Sequence, residues 1–270
     1  MTAPTTPAGT AAHSGNPAFN ESRYDTYLVP EGVQPATMTV GGTALKTGFL
    51  LLLVIAGGAW GWSSATDPVA SDIGAGYGNT TVTIPGGFWL ASFAALFVGI
   101  FVAMNPRRAA IGGMIYALLQ GYVLGAISAA YNAQTQGIVG AAILSTVCVF
   151  VVALLLYVTR IVRPTQRMAF GVAAGLGGLC LLYFFVWILA LFDWAWLYSE
   201  EFQAIGAVVS LIAVVLAALS LTLDFGQVER GVQAGAPKLL EWYSAYGLMV
   251  TLIWLYITLL RLLAWVTRNR

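Results

Sequence analysis

Residues 138–158 read IVGAAILSTVCVFVVALLLYV, an apolar run with no Asp, Glu, Lys, Arg or His. A helix that is hydrophobic all round has no face to offer water, so it lies in a large protein core or in lipid. About twenty residues of helix cover the roughly 30 Å hydrocarbon core of a bilayer. The rest of the chain repeats this pattern. Working outward, comparable runs lie at about 110–130, 88–104 and 45–62 before it, and at about 168–192, 202–223 and 239–266 after it. The reading is an all-α polytopic membrane protein with seven transmembrane helices in residues 44–270, behind a tail, residues 1–43. None of these segments alternates like a strand.

Composition agrees. Apolar residues make up 59% of the chain and charged residues 9%, against about a quarter charged in a soluble domain. Such a chain has too little polar material to cover its own surface, so lipid is its principal partner. The net charge of +1 gives no footprint for nucleic acid. Cys148 and Cys180 both lie within apolar runs and read as small buried hydrophobes rather than a disulfide. With His13 as the one histidine, no metal site and no cofactor is expected. The tail is rich in Thr, Ala, Gly and Pro, carries no signal-like apolar run, and reads as disordered and uncleaved. Asn79-Thr80-Thr81 matches a glycosylation acceptor, a short pattern that carries little weight. The stretch 171–178, GVAAGLGG, lies inside an apolar span without the lysine of a phosphate loop, and reads as close helix packing through small residues.

Cations set the orientation, because Lys and Arg are retained on the cytoplasmic side during insertion. Arg107 and Arg108 follow the second span, Arg160, Arg163 and Arg167 the fourth, and Arg230 and Lys238 the sixth, while the other three connections contain no Lys or Arg. The tail and the basic connections are therefore expected in the cytoplasm. Arg261, Arg268 and Arg270 strain this rule, since seven crossings place the C-terminus outside; a re-entrant last segment is the alternative. Trp62, Trp89, Trp194, Trp196, Trp242 and Trp265 fall near span ends, as an interfacial aromatic belt requires.

Ionisable groups at or inside spans are the candidate functional residues, because a charge near lipid persists only when it faces the bundle interior, water or a partner. Asp224 ends the sixth run and Glu241 opens the seventh, joined by FGQVERGVQAGAPK. Placed near one face, the two carboxylates are candidates to share a proton, titrate as a pair and gate cations. The alternative reading makes both interfacial, Glu241 answering Lys238 and Asp224 answering Arg230 or an arginine of another loop such as Arg107 or Arg108. Arg261 either snorkels outward or serves a buried carboxylate.

Several segments in order resemble the bacterial branch of the Bax inhibitor-like family, also called the transmembrane Bax inhibitor motif family. They are Asn16-Pro17-Ala18-Phe19, Thr37-Met38-Thr39-Val40, Gln120-Gly121-Tyr122-Val123-Leu124-Gly125, Leu223-Asp224-Phe225 with Val228-Glu229-Arg230-Gly231, and Gly235-Ala236-Pro237-Lys238 through Glu241-Trp242-Tyr243 to Leu259-Leu260-Arg261. The resemblance implies six helices around a central last helix, and a calcium-permeable, pH-sensitive leak gated by paired acidic residues of the last two helices. Asp224 matches the first of these. The second falls at Thr251, with Trp254 where the family often has Asn, and the Glu-Gly pair of the third span reads Gln120-Gly121. These departures remove carboxylates that a hard divalent ion prefers.

The resulting expectation is a pH-sensitive calcium or proton-responsive cation leak of the bacterial inner membrane. The alternative is a non-conducting regulator that binds other membrane proteins, such as a membrane protease. An enzyme is not expected, since no nucleophile with a base and no metal cluster is legible.

Overall fold

The computed structural model describes residues 36–66, 85–162, 164–190 and 200–268, the side chains of 190 and 200–204 excepted. Seven α-helices occur among them: α1 (Val40–Ala65), α2 (Phe88–Met104), α3 (Ala109–Gln134), α4 (Ile138–Val158), α5 (Gln166–Ala190), α6 (Glu200–Gln233) and α7 (Leu240–Arg268), with a single 3-10 turn, Pro106–Arg108, between α2 and α3. Six are long and apolar enough to cross a membrane; α2 is apolar but only 17 residues long. At 1.5 Å per residue α2 covers roughly 25 Å. The 67–84 loop, Trp194, Trp196, Arg163, Arg270 and residues 1–35 lie outside the described residues.

The bundle is built around α7. This helix packs on α1, α3, α4 and α6, and donates to α2 through Tyr243 Oη to Ala103 O at 3.1 Å and Tyr246 Oη to Gly99 O at 3.0 Å. The contrast with α5 is large. In the most apolar stretch of α7, 56% of residues are buried inside the protein, against 6% for α5, which packs mainly on α6. One helix is solvated by protein and the other is left to lipid. Being unbroken from Leu240 to Arg268, α7 is also no re-entrant hairpin.

The closest approach in the bundle is between α1 and α3. Gly57 and Gly61 on one helix, and Gly121 and Gly125 on the other, sit where a Cβ would run into the facing backbone: Leu118 O and Tyr122 O, Val54 O and Gly58 O. Paired small residues one turn apart let backbones touch, which is how helices gain packing energy when lipid is as apolar as leucine. The glycine run 171–178, expected to do this, mostly does not. Gly171, Gly177 and Gly178 face open space and only Gly175 meets a neighbouring helix, at Leu216.

Two corrections concern single positions. Asp224 does not end its helix, because α6 continues to Gln233 and stops at Gly235, whose φ of +67° places it in the left-handed conformation that glycine adopts after a helix. Cys148 and Cys180 are exposed on the outer faces of α4 and α5, not buried.

Candidate functional site

Two segments picked out by pattern, 37–40 and 235–243, meet at one end of the bundle. Met38 N donates to Ala236 O at 2.7 Å and Lys238 N to Ala36 O at 2.9 Å, a single antiparallel bridge that ties the entry of α1 to the α6–α7 turn. Met38 is fully buried beneath it. The bridge sets Glu241, in the first turn of α7, against the first turn of α1. Its Oε1 accepts from Thr39 N at 2.9 Å and from Thr39 Oγ1 at 3.0 Å, while Oε2 forms an ion pair with Lys46. Thr39 is also the N-cap of α1, accepting from Gly42 N at 3.0 Å. A carboxylate at a helix N-terminus answers the orphan N–H groups and the positive end of the helix dipole. Gly42 makes room for it, since a Cβ there would lie 2.6 Å from the Glu241 Cδ. Lys46 in turn lies 5.4 Å above the Trp242 ring, and Phe49 packs edge-on against the same indole. Trp242 is thereby a structural partner rather than a belt residue alone. Glu241 is fully buried and answers Lys46, not Lys238, which is exposed.

Asp224 occupies a different place. It is fully buried within α6, and its Oδ2 accepts from Thr251 Oγ1 at 2.6 Å; Thr251 Oγ1 also lies 3.2 Å from Gly247 O. Thr251 is ten residues beyond Glu241 on α7, roughly 15 Å along the axis at 1.5 Å per residue. The carboxylates thus belong to separate hydrogen-bond sets at separate depths, and the structure does not bring them together. What it does bring together is Asp224 and Thr251, the position singled out as a departure. Ser220, Asp224 and Gln227 are buried at i, i+4 and i+7 on one face of α6, and Ser244, Thr251 and Thr258 are buried at heptad spacing on α7. The Asp224–Thr251 contact joins these two rows into a polar seam between the two helices.

Arg230 bonds Gln227 on its own helix. Arg108 stacks over Phe101 at 5.5 Å, and Arg107 is exposed beside it. Arg261 does not serve a buried carboxylate; its Nη1 donates to Tyr183 Oη of α5 at 2.8 Å and its guanidinium overlies that ring. Gln120 lines a smaller cavity of about 490 Å³ between α2, α3 and α7, together with Tyr116 and Tyr246. Among the described residues no three of His, Cys, Asp and Glu gather into a group able to hold a metal ion.

Lys46 and Thr39 were missed as site residues, and so was the role of Thr251 as a partner. Lys46 and Glu241 lie 195 residues apart, so local spacing carries no signal of their pairing. The glycine four residues before Lys46 was the only local hint that something approaches α1 there.

An all-helical polytopic membrane protein, with a buried polar seam beside its central helix, is the class that fold and site define. The chain belongs to the Bax inhibitor 1 like family, whose sequence model matches residues 10–268. None of the curated proteins compared matches it.

Proposed function

We propose that this protein is a pH-sensitive cation leak, permeable to calcium, in the bacterial cytoplasmic membrane, with the tail and the basic connections on the cytoplasmic side. The observation that carries this reading is Asp224: a carboxylate fully buried within a spanning helix and hydrogen-bonded to Thr251 of the central helix. Ionisable groups at membrane depth are costly and mark ion or proton pathways. The seam of Ser220, Asp224, Gln227, Ser244, Thr251 and Thr258 supplies oxygen donors along the α6–α7 contact, the chemistry a hard cation needs in transit. Ionised Asp224 accepts from the Thr251 hydroxyl, whereas neutral Asp224 can donate to it, so the direction of this α6–α7 hydrogen bond changes with one proton. With threonine opposite, that control is a single-site titration rather than that of a shared-proton pair.

The test is calcium flux into liposomes carrying the purified protein and a trapped indicator. Flux should exceed that of protein-free liposomes and vary with pH along a one-proton curve. Asp224→Asn should flatten that curve. A protein that passed no calcium at any pH would return the reading to a non-conducting regulator of other membrane proteins.

A further inference from the structure

A cavity of about 1220 Å³ lies between α1, α4, α6 and α7, and neither Asp224 nor Thr251 lines it. It exceeds the roughly 300–1,000 Å³ typical of pockets for small ligands. Its shape follows from the packing. Helices α1 and α4 both rest on α7 but do not pack closely on one another, so the space between them opens sideways. Its walls there are apolar and long, with Leu51 on α1, Val147 and Leu154 on α4, and Leu248 and Leu252 on α7. One end is different. Arg160, just past the end of α4, and Arg230, near the end of α6, line it together with Glu229, which accepts from Tyr157 Oη and from Gln233 Nε2 at 3.2 Å. Both guanidinium-bearing side chains line this end, Arg230 also bonding Gln227 on its own helix. Arg160 is exposed and holds a φ of +57°, the left-handed conformation that costs a non-glycine residue energy.

We propose that this crevice binds an anionic phospholipid, with an acyl chain between α1 and α4 and the phosphate against Arg160 and Arg230. The arginines supply charge-assisted, fork-shaped donors that fit phosphate oxygens. They stand at a helix end, the level of a headgroup, while the apolar walls run toward the bilayer interior. Basic pockets between spanning helices recognise anionic headgroups in this way. A second helix as occupant is disfavoured by the charged groups at one end and by an opening left between only two helices. Neither Asp224 nor Thr251 lines the cavity, so the proposal stands whether or not the protein conducts.

Gly48 lines the cavity on α1, and a Cβ there meets no atom within 4 Å. Gly48→Phe therefore fills the crevice without a clash at the backbone. Arg160→Asn removes one charge while keeping a residue that tolerates the left-handed region. The full-length protein in detergent is incubated with equal amounts of phosphatidylglycerol and phosphatidylethanolamine of identical chains, and retained lipid is counted by native mass spectrometry. A parallel arm offers short-chain dibutyryl phosphatidylglycerol and inorganic phosphate as competitors. The parent should retain phosphatidylglycerol preferentially and neither competitor should displace it. Arg160→Asn should lower that retention about five-fold and leave phosphatidylethanolamine unchanged; Gly48→Phe should abolish it. Equal retention of the two lipids by the parent, displacement by inorganic phosphate, or full retention by a folded Gly48→Phe protein would each overturn the proposal.

Discussion

Glu241 and Asp224 are both fully buried carboxylates on the last two helices, yet their surroundings differ in kind. Glu241 is met by a lysine, a backbone N–H and a hydroxyl, so its charge is compensated and its position fixed. Asp224 accepts from the Thr251 hydroxyl and shares its face of α6 with buried Ser220 and Gln227. The first arrangement ties α7 to α1, and the second ties α7 to α6. The lesson is that burial alone does not assign a carboxylate its task; the helices and groups it joins must be known as well.

The comparison breaks most visibly at Lys46. Lys46→Met leaves the Glu241 carboxylate buried without its cation, and should destabilise the protein by about 3 kcal/mol in chemical unfolding in detergent. Pairing it with Glu241→Gln should recover much of that loss, because both charges then go together. Next is Thr251→Val, which takes from Asp224 the hydroxyl that donates to it; about 2 kcal/mol should be lost by the same assay, with the pH profile of flux altered as well. Gly42→Ala sets a methyl against the Glu241 carboxylate and should cost about 1 kcal/mol, since Ala also favours the helix and offsets part of the clash. Smallest in stability is Asp224→Asn, nearly isosteric and still able to accept from Thr251, with a change of less than about 1 kcal/mol. A thermal scan that found Asp224→Asn more damaging than Lys46→Met would invert the assignment of roles.

Much of the fold was legible because lipid imposes a coarse code. The 138–158 run admits one reading, and every expected span has its helix. Where α6 ends was legible too, but from other residues than those used: Gly235 followed by Pro237 is the stop, whereas Asp224 was read as a terminus because it ends the apolar run. A helix need not stop where hydrophobicity does. The α1–α3 contact was also readable in Gly57 with Gly61 and Gly121 with Gly125, a stronger signal than the glycine run 171–178, whose glycines mostly face outward. The site was harder. Asp224 declared itself by its charge, but its partner Thr251 is an ordinary residue in an apolar helix, and only packing gives it a role. Glu241 was noticed for the same reason as Asp224, and its neighbour Lys238 was a natural choice of partner. The actual partner sits on α1, brought there by the Thr37–Pro237 bridge, which no local pattern encodes.

One measurement tests most directly the claim that the two buried carboxylates have different tasks. Calcium flux is recorded across a pH series in liposomes carrying the parent, Asp224→Asn or Glu241→Gln, at a temperature where all three are folded. The expected result is a flattened pH profile for Asp224→Asn and a parent-like profile for Glu241→Gln. A parent-like profile for Asp224→Asn, with the pH response lost in Glu241→Gln, would contradict it.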